Sequence, residues 1–244
     1  MLIEIATFSV EAAVIAQKSG ADRIELCSSP LEGGLTPSSG CIQTVRKLLN
    51  IPLNVMIRPR EGDFYYSSRE FETMLTDIEI LKNEGVDGIV TGVLHSNGSI
   101  DSTRMQLILK QAGSMEITFH RAFDMTRDPL NALDTLIGLG IKRILTSGCR
   151  ASAMDGLEKI KELQQAAGNQ IVIMPGGGIN ETNILEIIQS TGVSEVHMTA
   201  KKITEGRMEY RNPAVSMGSP NILTEYNLLM PDGNVISRIK KLFN

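Results

Sequence analysis

Four copies of one short pattern constrain the fold of this chain more than anything else in it. Gly20-Ala-Asp-Arg-Ile24, Gly85-Val-Asp-Gly-Ile89, Gly140-Ile-Lys-Arg-Ile144 and Gly192-Val-Ser-Glu-Val196 each run glycine, apolar, two polar or small, β-branched. Their glycines lie 65, 55 and 52 positions apart. Each copy reads as the turn from a helix into a strand, with glycine supplying the left-handed backbone that ends the helix. Interleaved apolar runs complete a set of eight expected strands: Leu2–Ala6, Arg23–Cys27, Leu53–Ile57, Gly88–Val90, Met115–Phe119, Ile144–Thr146, Ile171–Met174 and Glu195–Met198.

Helical stretches separate them. Ser9 reads as the cap of a helix ending at Ser19, and a loop over 28–40 precedes a helix to about Leu49. Ser67 with Glu70 reads as a capping box for a helix to about Asn83, Asp101 starts another, and Asp128-Pro129 pairs a cap with proline at the first helical position. Further helices are expected from Ser152 to about Ala167 and after a cap at Asn180. Strict alternation implies right-handed βαβ units and a parallel sheet. A chain of 244 residues matches the about 250 that an α/β barrel uses as one domain. The expected fold is therefore α/β, a (β/α)8 TIM barrel with a parallel eight-stranded core, in preference to an open doubly wound sheet. It spans 1–244 as a single domain, with an irregular, loop-rich segment over 199–233 and a terminal helix over 234–243. Turn signals in that segment include Asn212-Pro213, Gly218-Ser219-Pro220 and Pro231-Asp232-Gly233.

Composition narrows the partners. Lys and Arg number 24 against 28 Asp and Glu, a net charge of -4 with no basic block, which argues against nucleic acid or a membrane surface as partner. No uncharged apolar run approaches the roughly 18 residues of a membrane span. The first residues lack a basic region and carry Glu4, unlike a signal peptide. Three cysteines, Cys27, Cys41 and Cys149, are an odd count without CxxC spacing, which suits a cytoplasmic location rather than a disulfide framework.

Functional residues of such a barrel gather at the C-terminal ends of its strands. Glu4, Glu25 and His197 place titratable groups inside strands that parallel sheets normally keep apolar. They read either as a ligand-binding or catalytic cluster or as an ion-pair network plugging the barrel. Phe119-His120-Arg121-Ala122-Phe123-Asp124 offers a histidine, an arginine and a carboxylate, an acid–base pair with an anion clamp. The alternative is that Asp124 caps the following loop and Arg121 pairs with a neighbouring helix. Gly176, Gly177 and Gly178, between strand seven and its helix, could let the backbone approach a phosphate. Arg58, Arg60 and Ser147 add polar groups at the same rim. A small anionic or phosphorylated ligand, or a metal ion, is the expected partner.

The motifs Ile3-Glu4-Ile5, Arg23-Ile24-Glu25-Leu26-Cys27, Gly33-Gly34-Leu35-Thr36-Pro37-Ser38, Ile57-Arg58-Pro59-Arg60, Gly62-Asp63-Phe64, the His120 motif, Leu145-Thr146-Ser147-Gly148 and Glu195-Val196-His197 together resemble the copper homeostasis protein CutC family. The resemblance covers residues 2 to about 235. It implies a cytoplasmic (β/α)8 barrel, a homo-oligomer, and a role in copper homeostasis. It also implies a Cu(I) site of two thiolates, one at the end of each of the first two strands. Cys27 matches the second, whereas Ala6 stands in the strand that carries the first. Glu4, Glu25, Arg58, His120, Asp124 and His197 all stand where the family motifs place them. Two functions are thereby expected to compete: Cu(I) handling through Cys27, or a lyase, isomerase or hydrolase acting on a small anionic substrate.

Overall fold

Each barrel strand turns alternate residues to two different places, and the sequence dresses the two sets differently. The computed structural model describes residues 1–215 and 224–243. Strands β1 (Leu2–Thr7), β2 (Arg23–Leu26), β3 (Leu53–Met56), β4 (Gly88–Thr91), β5 (Glu116–Phe119), β6 (Arg143–Thr146), β7 (Val172–Pro175) and β8 (Glu195–Met198) form one parallel sheet in the order β7-β6-β5-β4-β3-β2-β1-β8. The first strand pairs with both β2 and β8, and β7 lies beside β8 where the ring closes. This is the expected (β/α)8 barrel. One parity, including Ile3, Ile5, Ile24, Leu26, Val55, Ile117, Ile144, Ile173 and Val196, joins the main apolar cluster under the helices. The other parity faces the barrel axis and carries the buried polar residues Glu4, Arg23, Glu25, Asn54, Thr118, Arg143 and His197 among apolar ones such as Met56 and Leu145.

Helices α1 (Val10–Lys18), α2 (Ser39–Leu48), α3 (Ser68–Asn83), α4 (Ser102–Ala112), α5 (Pro129–Gly138), α6 (Leu157–Ala167) and α7 (Ile184–Thr191) follow β1 to β7 in turn. The caps are chemical. Ser9 accepts from the Ala12 N–H at 3.2 Å, Asp101 from Arg104 at 2.9 Å, and Ser67 with Glu70 closes a capping box. The repeated glycines take φ of 100° (Gly20), 67° (Gly85), 75° (Gly140) and 74° (Gly192), conformations that β-carbon-bearing residues avoid. Asp128 accepts from the Asn131 N–H at 3.1 Å with Pro129 behind it. Asp128→Ala is expected to lower stability by about 1 kcal/mol in urea unfolding, the usual worth of an N-cap; an unchanged midpoint would show that the α5 terminus does not need it.

Two helix starts differ from expectation. Helix α6 begins at Leu157 rather than Ser152, because the Ala153 N–H is spent on the Gly177 carbonyl at 2.8 Å. Gly156 also lies so close to the Ser147 carbonyl that a β-carbon would sit 1.9 Å from its oxygen. Helix α7 begins at Ile184, since Asn180 does not cap it. Its Oδ1 instead accepts from the Thr182 N–H at 2.9 Å, an Asx turn.

The segment expected to be irregular over 199–233 is partly ordered. Strands β9 (Lys201–Glu205) and β10 (Asn227–Pro231) pair antiparallel, and α8 (Gly233–Lys241) follows, capped by Asp232 on Asn234. Charged, exposed Lys201, Lys202 and Glu205 hid the first of these strands from a hydropathy reading. The Gly218-Ser219-Pro220 turn signal lies outside the described residues. Helix α8 returns to the start of the chain, where Lys240 bonds Asp22 at 2.5 Å and the Ser237 hydroxyl donates to the Ser19 carbonyl at 3.0 Å.

Candidate functional site

A chain of ion pairs rises through the barrel axis. At its base Arg143 bonds Glu195 at 2.6 Å and Thr118 at 3.2 Å. Glu195 also accepts from Arg23 at 2.6 Å, and the other edge of the Arg23 guanidinium donates to Glu4. Asn54 donates to the same Glu4 oxygen at 3.3 Å. The second Glu4 oxygen faces His197 Nδ1 at 2.9 Å, and His197 Nε2 lies 3.5 Å from Glu25. Positive and negative groups thus alternate from Arg143 to Glu25. Ladder register makes this possible, since Glu4 stands opposite both Arg23 and His197.

The environment separates the two carboxyls. Burial pushes the Glu4 pKa up, but the His197 bond and the Arg23 charge outweigh it and hold the group at about 2. For Glu25 burial wins: it raises the group to about 7 against the opposing pull of His197. Burial would lower His197, yet Glu25 and Glu4 on either side raise it. Glu4 is therefore a fixed anion, whereas Glu25 and His197 hold a proton that can move near neutral pH.

Above this pair opens a cavity of about 700 Å³, lined by Ala6, Glu25, Cys27, Arg121, Gly177, Gly178, His197 and Lys201 among others. Gly177 and Gly178 take φ of 96° and 76°, and among the described residues their N–H groups donate to no protein acceptor. Gly176 packs against Leu145 and His197, where a β-carbon would come within 2.5 Å of the Leu145 side chain.

The remaining sequence candidates divide. His120 joins the site, its ring 4.9 Å from that of Phe64. Arg58 lies beside it, but its Nη atoms are spent on the Glu32, Gly34 and Gly62 carbonyls, so it staples two loops. Asp124 accepts from Arg121, Thr146, Ser147 and Cys149, which organises the loop after β6. Arg121, held by Asp124 and by Ser147 Oγ at 2.6 Å, still borders the cavity. Arg60 bonds Glu70 at 2.7 Å and Asp63 at 2.9 Å on the outside and does not reach it. Sequence reading missed Arg23, Asn54, Arg143 and Glu195. Their signal was the two-residue parity, which they share with Glu4, Glu25 and His197.

The CutC family model matches residues 1–202. The chain belongs to the CutC family. It is 47% identical over 231 residues to the human copper homeostasis protein cutC homolog, covering 95% of this chain and 85% of that one. It is 45% identical over 239 residues to the CutC family protein of Salmonella newport, covering 98% and 96%. Among solved structures, CutC from Streptococcus agalactiae superposes with a TM-score of 0.79 at 34% identity, over 82% of this chain and 98% of that one. A phosphoribosylanthranilate isomerase from Thermotoga maritima shares the barrel alone, at 12% identity and a TM-score of 0.57, over 99% and 97%. No helix among the described residues is long and apolar enough to cross a membrane.

The CutC name raises copper, and the residues present do not fit a thiolate copper site. Cu(I) selects soft sulfur ligands. Cys27 is buried, and burial followed by the neighbouring Glu25 charge pushes its thiol well above the ordinary range, away from thiolate. Ala6 borders the same cavity without a ligand atom. Among the described residues no group of three or more His, Cys, Asp or Glu is placed to hold a metal ion.

Proposed function

We propose that this CutC-family barrel binds a small anionic, phosphorylated ligand at its mouth, with Glu25 and His197 placed for acid–base work on it, rather than holding copper through Cys27. The observation that carries the reading is Glu25: its Oε1 is buried and among the described residues has no hydrogen-bond partner, and it borders a cavity spacious enough for a metabolite. The free N–H groups of Gly177 and Gly178 and the Lys201 ammonium supply the anion's partners at the rim. Loops after strands seven and eight are a common phosphate seat in such barrels. Free cysteines suit work in a reducing cytoplasm. A homo-oligomer would use the β9–β10 hairpin, where Ile203 and Leu228 are about half exposed.

Thermal melts with inorganic phosphate and Cu(I) titration against a competing chelator test the reading together. Phosphate at a hundredfold excess over its dissociation constant is expected to add about 2.7 kcal/mol of stability, and Cys27→Ala is expected to leave Cu(I) affinity unchanged. No phosphate effect, together with Cu(I) affinity lost in Cys27→Ala, would reverse the assignment.

A further inference from the structure

The outer cavity continues into an inner chamber of about 100 Å³, and Glu25, Gly33, Arg121 and His197 line both. His120, 3% exposed, forms one wall. Its Nδ1 accepts the Ala122 backbone N–H at 3.2 Å. A ring nitrogen that accepts carries no proton, so the neutral imidazole bears its hydrogen on Nε2. That Nε2 is buried and has no partner among the described residues. Burial and then the Arg58 charge hold the ring at a pKa of about 3, which keeps it neutral at physiological pH. The ring is also fixed in place: Phe64 and Phe119 flank it, and Gly92 lies so close that a β-carbon would meet it at 2.8 Å. The chamber therefore presents an immobile, uncharged N–H donor.

Two further buried atoms on residues that line the chamber have no partner among the described residues, Glu25 Oε1 and Arg58 Nε. Met56, Phe64 and Leu145 supply the apolar part of the lining. An oxygen seated on His120 must accept, as a carbonyl does, and the three apolar side chains offer it no strong acceptor in return. A hydroxyl on the neighbouring carbon can reach Glu25. A carboxylate fits less well, because Glu25 shares the space and only the Nε of Arg58 is left to meet one, its Nη atoms being committed to backbone carbonyls.

We infer that the inner chamber is a ligand subsite in which His120 Nε2–H holds a carbonyl oxygen while Glu25 takes the adjoining hydroxyl. The ligand class is an α-hydroxycarbonyl compound carrying a phosphate. Only the phosphate clause rests on the reading of the outer cavity given above.

Titration calorimetry of the full chain with three probes tests this: dihydroxyacetone phosphate, glycerol 3-phosphate and inorganic phosphate. The ketone is expected to bind at least tenfold more tightly than glycerol 3-phosphate, which has a hydroxyl in place of the carbonyl. The infrared carbonyl stretch of the bound ketone is expected to fall relative to free ketone. His120→Phe, checked for folding by circular dichroism, is expected to lose both effects, and His120→Gln, which retains an N–H donor, to recover part of them. Equal binding of the two organic phosphates with no carbonyl shift overturns the subsite and leaves the phosphate reading standing. Failure of all three probes overturns both. A ketone preference that survives in His120→Phe overturns the role of His120.

Discussion

Arg23→Ala is expected to cost about 3–5 kcal/mol of unfolding free energy, the usual effect of removing one member of a buried ion pair. The Arg23 side chain is 5% exposed and joins Glu4, fully buried, to Glu195. Its loss leaves Glu4 with Asn54 and His197 alone, and Glu195 with Arg143. The penalty is chiefly the desolvation of the Glu4 carboxylate, which water cannot reach, rather than the worth of any single bond. Urea unfolding at neutral pH measures it. A loss below about 1 kcal/mol would mean that the axial chain re-forms without its second strand's arginine, as an exposed pair would allow. The Glu4 pKa is also expected to rise in this variant, because the Arg23 charge is among the influences holding it at about 2.

The second large effect is a loss of stability in acid traceable to His120. Its folded-state pKa of about 3 lies below the ordinary 6.5, so the unfolded chain binds a proton that the folded chain refuses. Stability from this residue is fully present above pH 6.5 and is lost as pH falls toward 3, at about 1.4 kcal/mol per pH unit. Between pH 6.5 and 4.5 the wild type is expected to lose about 2–3 kcal/mol relative to His120→Gln, which cannot take up that proton. Arg58, Glu25, Arg121 and His197 share the chamber with His120 and remain in both proteins, so the difference between their urea midpoints isolates the imidazole. Parallel curves for the two proteins would show that His120 protonates as freely when folded as when unfolded.

Most of the fold was legible because its signals are local. A helix cap such as Asp128-Pro129 or Ser67 with Glu70 acts within one turn, and the glycines at 20, 85, 140 and 192 mark a backbone requirement that no neighbour can relieve. The misplaced starts of α6 and α7 failed for the opposite reason. What unwinds residues 152–156 is the Gly177 carbonyl and the crowding of Gly156 against Ser147, contacts that no propensity contains. The candidate site was legible residue by residue but not as an arrangement. Glu4, Glu25 and His197 stood out as charges in strands, while Arg23 and Glu195, the first residues of β2 and β8, were given no role. Arg58 looked like part of an anion site, and only geometry shows its Nη atoms turned to carbonyls. The orphaned Nε2 of His120 depends on which ring nitrogen accepts from Ala122, a fact with no trace in composition or spacing.

The pairing of β1 with β8, reinforced by α8 on the turn after α1, has a consequence for how the molecule assembles. Strand β1 can pair with β2 early, but its other edge waits until nearly two hundred further residues have been made. Glu4 shares that wait, because His197 reaches it only with β8. Until β8 is made, the axial charge of Glu4 therefore lacks its histidine partner and faces water and solvent ions. Contacts of such long sequence separation form slowly. The acid–base pair is thus among the last features to exist, and a folded Glu4–His197 contact serves as a report that the ring has closed.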